Sequence, residues 1–219
     1  MNIVYIHGLD SDSNSTKGQL LERYCEQNHP DITVLRPDLN KNPAQVFDQL
    51  ITLIAALNKE VKDKANDKEQ RLSSTVLVGS SLGGYYSTLV SNYMNCPALL
   101  LNPSIEPHIT LQRFSIKATS FDISNNTELE EQVFYTTSGG WAISKRDIDW
   151  FAEHQLSISY PQKVAVLIKE GDELLDPYKS AEFYQQQGAA VTLQPGGDHR
   201  FSDFAEQLPM VIEILRQLR

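Results

Sequence analysis

Residues 77–86 read LVGSSLGGYY: two serines between glycines, directly after the apolar run Thr75–Val78 and directly before the helix-patterned GGYYSTLVSNYM. A plain turn is the simplest reading, because Ser and Gly are turn formers. The spacing supports a sharper one. Only Ser81 has glycine two residues away on both sides, Gly79 and Gly83; around Ser80 those places hold Val78 and Leu82. A serine held in a strained conformation at a strand-to-helix turn needs small flanks, since side chains there would clash across the turn. Ser81 is therefore the candidate nucleophile of a nucleophile elbow.

Working outward, short apolar runs alternate with amphipathic segments. Ile3–Ile6, Thr33–Leu35, Thr75–Val78, Ala98–Leu101, Val164–Ile168 and Ala190–Leu193 suit strands buried on both faces, as in a parallel sheet covered by helices. Leu20, Leu21, Tyr24 and Cys25 share one helix face. Val46, Phe47, Leu50, Ile54 and Leu57 share another, with Asn42 as cap and Pro43 at the first helical position. Phe204, Leu208, Val211, Ile212 and Leu215 form a C-terminal stripe, bent or begun at Pro209. The alternation predicts an α/β fold with a parallel sheet.

Two segments depart from it. Residues 58–74 are highly charged and read as a solvated helix end and loop. About sixty residues after Asn102-Pro103 lack a strong strand signal. There, Thr127 with Glu130 forms a capping box before LEEQVFYTT, Ser144 caps KRDIDWFAEH, and SGG at 138–140 separates the two. This predicts a two-helix insertion rather than an independent domain.

Composition narrows the function classes. A net charge of −9 over 219 residues argues against a nucleic-acid partner, which wants a basic face. Cys25 and Cys96 fit neither a disulfide scaffold nor a metal or redox spacing. MNIVYIHG lacks a basic leader and no apolar stretch is long enough to span a membrane, so a soluble cytoplasmic protein without membrane attachment is expected. DSDSNS at 10–15 imitates the start of a calcium loop, yet Ser15 stands where glycine is required and Leu21 where glutamate is required.

A serine nucleophile needs a base, and the chain order Ser, acid, His places it after the last strand. His199, in PGGDHRF, fits. His29 reads as a surface turn, while His108 and His154 fall in the insertion. The acid belongs after the preceding strand, where LIKEGDELLDP offers Glu170, Asp172, Glu173 and Asp176. Asp172, after the turn-forming Gly171, is best placed, with Asp176 as the alternative; Asp198 adjoins His199 too closely in sequence to orient it. Oxyanion donors would be the backbone N–H groups of Leu82 and of Leu9, after His7-Gly8. His7 is then structural.

The stretches IHGLDS, GSSLGGYY, LNPS, EGDELLD and GGDHRF, in this order, resemble the bacterial YqiA-like esterases, a subgroup of the α/β hydrolases. The resemblance spans nearly the full chain, with 58–74 and much of 105–160 matching poorly. It implies Ser81, Asp172 and His199 as a catalytic triad, hydrolysis of carboxylic esters or thioesters, and no metal or organic cofactor. The expected architecture is a single three-layer α/β-hydrolase domain over 1–219. Its six-stranded, mainly parallel sheet has order 2-1-3-4-5-6, and a helical lid over 104–160 supplies an acyl pocket from Phe134, Tyr135, Trp141, Trp150 and Phe151. The expected partner is a small acyl ester or thioester. The rival reading is a non-catalytic small-molecule or protein-binding module on the same scaffold.

Overall fold

The computed structural model describes residues 1–64, 75–114 and 133–218. Its elements are β1 (Asn2–Ile6), α1 (Thr16–Asn28), β2 (Thr33–Leu35), α2 (Pro43–Lys64), β3 (Thr75–Ser80), α3 (Leu82–Met94), β4 (Ala98–Leu101) and α4 (Pro107–Thr110). They continue with β5 (Val133–Thr136), β6 (Ala142–Ser144), α5 (Lys145–Glu153), a 3-10 turn at Pro161–Lys163, β7 (Val164–Lys169), α6 (Pro177–Gln186), β8 (Ala190–Gln194) and α7 (Phe204–Gln217).

The main sheet has order β2-β1-β3-β4-β7-β8, and every neighbouring pair is parallel. This is the expected order, with β7 and β8 as the fifth and sixth strands. Strand alternation sorts side chains into two cores. Val4, Ile6, Leu77, Leu100, Val166 and Ile168 face α2, α3 and α6. Ile3, Tyr5, Val76, Val78, Leu99 and Leu167 face α1 and α7. Both faces of the central strands are covered, so β1, β3, β4 and β7 read as nearly unbroken apolar runs, while the edge strands β2 and β8 are partly exposed. Each such side chain, fully buried, contributes about 1.5–3 kcal/mol.

Helix starts follow local chemistry. Asn42 caps α2, its Oδ1 accepting from the Gln45 N–H at 3.0 Å. Ser144 and Asp147 form a reciprocal capping box on α5. Pro209 neither begins nor ends α7, which starts five residues earlier at Phe204.

The insertion differs from expectation. The predicted capping residues Thr127 and Glu130, and residues 65–74 of the charged stretch, lie outside the described residues. Where the first insertion helix should continue, Val133–Thr136 is a strand, paired antiparallel with Ala142–Ser144. Val, Phe, Tyr and Thr before a Ser-Gly-Gly turn carry β propensity and a hairpin signal, which outweighs an upstream cap. Among the described residues, no helix is long and apolar enough to cross a membrane.

Candidate active site

The elbow is built by close approach of backbone. Ser81 leaves β3 with φ 57° and ψ −120°, a region that side chains avoid, and stands at the cap position of α3 without a capping hydrogen bond of its own. A Cβ on Gly79 would lie 2.2 Å from Ser87 Oγ and 2.3 Å from the Gly83 oxygen; on Gly83 it would lie 2.0 Å from the Ile6 oxygen. These contacts are the reason for the glycine spacing. Gly8, two residues beyond β1, faces Ser81 itself, with room for a Cβ only 3.1 Å from Ser81 Cβ.

Three loops at the carboxyl ends of the strands bring the expected residues together. His199 Nε2 is 2.9 Å from Ser81 Oγ, and His199 Nδ1 is 2.9 and 2.8 Å from the two Asp172 oxygens. A proton on Nδ1 satisfies the carboxylate and leaves Nε2 free to accept from the serine; this tautomer is inferred from the network. The Asp172 side chain is 2 % exposed, and its Oδ1 also accepts the Leu174 and Leu175 N–H groups at 2.9 Å each. The acid is thus fixed in direction before the histidine meets it.

The other candidates are engaged elsewhere. Asp176 caps α6, accepting from the Tyr178 and Lys179 N–H groups. Asp198 accepts from Ser202. His7 accepts the Leu39 N–H at Nε2, 3.0 Å away, and burial holds its pKa below the usual histidine value. His154 stacks on Trp150 with ring centres 3.9 Å apart.

Gly171 lies in the expected turn, which Asp172 N–H closes onto Lys169 O at 3.1 Å, and its φ is not positive. A Cβ there would sit 2.3 Å from the Gly197 oxygen, because the acid and histidine loops are zipped together by Glu170 N–H to Gln194 O and Gly171 N–H to Gly196 O.

Sequence reasoning assigned no role to Asn102, which is buried at the end of β4 with φ +42°. Its Nδ2 donates to the carbonyls of Asp198 and His199, at 3.0 and 3.2 Å, and its Oδ1 accepts the Lys169 N–H at 2.8 Å. One amide therefore ties β4 to the loop of the histidine and to the strand leading to the acid. Lys169, buried, pairs with Asp203 beneath the Phe201 ring and anchors the far side of the same loop. Lone Asn and Lys residues gave no sequence signal beyond the Asn-Pro dipeptide.

Leu9 and Leu82 line the same cleft as Ser81, and neither backbone N–H donates a hydrogen bond among the described residues. The loop carrying Leu9 is braced from the insertion. Asp10, at φ +53°, accepts the Tyr135 O–H at 2.8 Å and the Ser138 N–H at 3.1 Å. This bond raises the Tyr135 pKa.

A cleft of about 780 Å³ opens over Ser81 and His199; the insertion lines it with Ser104, Thr110, Leu111, Arg113 and Ser138. The large aromatic residues expected to form an acyl pocket are not in that lining. Phe151 is fully buried against Tyr85 and Trp150, and Trp141 is buried in the same core. Packing the insertion onto α3 accounts for Trp150 and Phe151, whose rings meet Tyr85 and Tyr86, whereas Tyr135 stacks on Phe114.

Residues 2–216 match the model of the uncharacterised protein family UPF0227. The chain belongs to this family. The YqiA-like resemblance read from the motifs thus holds over nearly the whole length. Solved structures share the fold at low identity. The α/β hydrolase GrgF from Penicillium sp. sh18 is 14% identical with a TM-score of 0.68, over 99% of this chain and 89% of that one. Est1E from Butyrivibrio proteoclasticus, solved with ferulic acid, is 15% identical at 0.64, over 99% and 86%. The esterase domain of a Rhodothermus marinus protein is 16% identical at 0.63, again over 99% and 86%. The family member described here therefore has the α/β-hydrolase fold.

Proposed function

We propose that this protein is a serine hydrolase of small carboxylic esters or thioesters. Ser81 Oγ attacks the acyl carbon while His199 Nε2 takes its proton, and Asp172 holds and stabilises the imidazolium. The N–H groups of Leu9 and Leu82 receive the developing oxyanion, at the positive end of α3. His199 returns the proton to the departing alcohol or thiol. Water, deprotonated by the same nitrogen, then attacks the acyl-serine, releasing the acid and restoring Ser81. Residues 1–219 act in this reading as one domain, with 104–160 an insertion that partly roofs the cleft.

The observation that carries the reading is His199 bridging Ser81 and Asp172 at hydrogen-bond distance on both ring nitrogens. The esterases among the fold neighbours support it by analogy. A fluorophosphonate probe tests it. Labelling of the wild type and none of Ser81→Ala is expected, with turnover of 4-nitrophenyl esters. A folded protein that resists the probe would instead be a binding module on a hydrolase scaffold.

A further inference from the structure

The chain carries a net charge of −9, yet Lys17, Arg113 and Arg200 all line the Ser81 cleft. They come from three places: the first turn of α1, the segment after α4, and the residue following His199. None has a carboxylate at salt-bridge distance among the described residues, whereas Arg36, Lys145, Lys169, Lys179 and Arg216 each have one.

Lys17 is the informative member. Its Nζ donates to the Arg200 carbonyl oxygen at 2.6 Å, a single acceptor for a group with three donors. Burial pushes its pKa down to about 8, against the upward pull of Asp198. A half-desolvated ammonium with one neutral acceptor is costly, and an incoming anion recovers part of that cost. The first turn of a helix also disfavours a cation, and that turn of α1 holds no acidic residue to offset it. Local helix energetics therefore give no reason for a lysine here.

The nearby carboxylates keep their charge but are turned toward neutral donors rather than ion-paired to these cations. Asp10 holds the Tyr135 hydroxyl and the Ser138 amide, Asp12 the Asn14 amide, and Asp198 holds Ser202. We propose that the cleft selects substrates bearing an anionic group, a carboxylate or phosphate, received by Lys17 with Arg113 and Arg200 around it. The inference rests on the hydrolase reading and gives it a substrate class. It also eases an objection to anionic thioesters, since Lys17, Arg113 and Arg200 outnumber the carboxylates of Asp10 and Asp12 in the cleft lining.

Paired substrates test it. On the acyl side, mono-4-nitrophenyl succinate is compared with 4-nitrophenyl butyrate; on the leaving-group side, acetyl-CoA with S-acetyl-N-acetylcysteamine. The wild type should prefer the charged member at least tenfold in kcat/KM in one arm, which locates the anion on that side of the scissile bond. Lys17→Met should lower that ratio at least tenfold, and Lys17→Arg should keep most of it. Equal use of both members in both arms, or a Lys17→Met protein with the preference intact, overturns the proposal. Calorimetric titration of Ser81→Ala with monomethyl succinate against methyl butyrate, and with acetyl-CoA against S-acetyl-N-acetylcysteamine, reads the site without turnover: stronger binding of the anion in one pair supports it, and equal binding in both pairs sinks it. Loss of probe labelling at Ser81 would instead count against the hydrolase reading, and leaves the titration to decide the anion site.

Discussion

The elbow at 79–84 and the hairpin at 133–144 lie on the same cleft and are specified in opposite ways. In the elbow, backbone meets backbone: a methyl group on Gly83 would overlap the Ile6 oxygen, so composition is dictated position by position. In the hairpin, side chains meet side chains from distant parts of the chain: Tyr135 reaches Asp10, Trp141 sits in the core beneath α3, and Thr137 reaches Asn40. Steric dictation leaves a pattern in a few consecutive residues. Tertiary packing leaves only suitably large residues, whose partners the local sequence does not name.

Substitutions can break this contrast or sharpen it. The largest effect is expected at the elbow, where Ser81→Ala should lower turnover by roughly 10⁴–10⁶ while the protein stays folded. Ser80→Ala, one residue away, should keep most of its rate; steady-state kinetics with a 4-nitrophenyl ester separates them, and a reversed result would mean the glycine register was misassigned. Asp172→Asn should cost about 10³–10⁴ in kcat with little change in melting temperature, because the imidazole loses the acceptor that fixes its tautomer.

On the insertion side, Phe151→Ala should destabilise by about 3–5 kcal/mol in urea titration, as expected for a fully buried aromatic. The rate per folded molecule should hold; a shifted preference for acyl length in a stable variant would restore the pocket role to these aromatics. Asn102→Ala lies between the two regimes. Its expected loss is about 10²-fold in kcat with KM nearly unchanged, since the histidine loop loses two of its donors. An unaltered kcat would leave Asn102 a purely structural residue. The smallest effect belongs to Asp176→Ala, about 0.5–2 kcal/mol of stability from a lost helix cap and no loss of turnover.

The same contrast explains what was legible beforehand. All six sheet strands were readable as short apolar runs, which burial on both faces explains for β1, β3, β4 and β7; the edge strands β2 and β8 are only partly buried. The convergence of Ser81, His199 and Asp172, rather than Asp176, was readable because each follows a strand in an order that the fold constrains. The hairpin was obscured by a plausible cap that drew 129–137 toward helix, although Val-Phe-Tyr-Thr before Ser-Gly-Gly carried the competing signal. Gly171 was legible as a turn residue, but the requirement for glycine comes from the approach of Gly197, 26 residues later, which the local sequence does not show. Asn102 acts through three backbone groups contributed by two other segments, and nothing in its neighbours announces them.

The carboxylate of Asp10 has a consequence for anyone who would remodel this protein. It sits one residue beyond Leu9, in a left-handed conformation, and both of its oxygens are held by the hairpin. A graft exchanging residues 133–144 for another segment would therefore not be a change of roof alone. Without the Tyr135 phenol and the Ser138 amide, Asp10 is free to relax, and the Leu9 amide turns with it. In the proposed reaction specificity and rate are then wired through one side chain, so chimeras at this position should carry both donors over with the graft, or rebuild them, before their selectivity is compared.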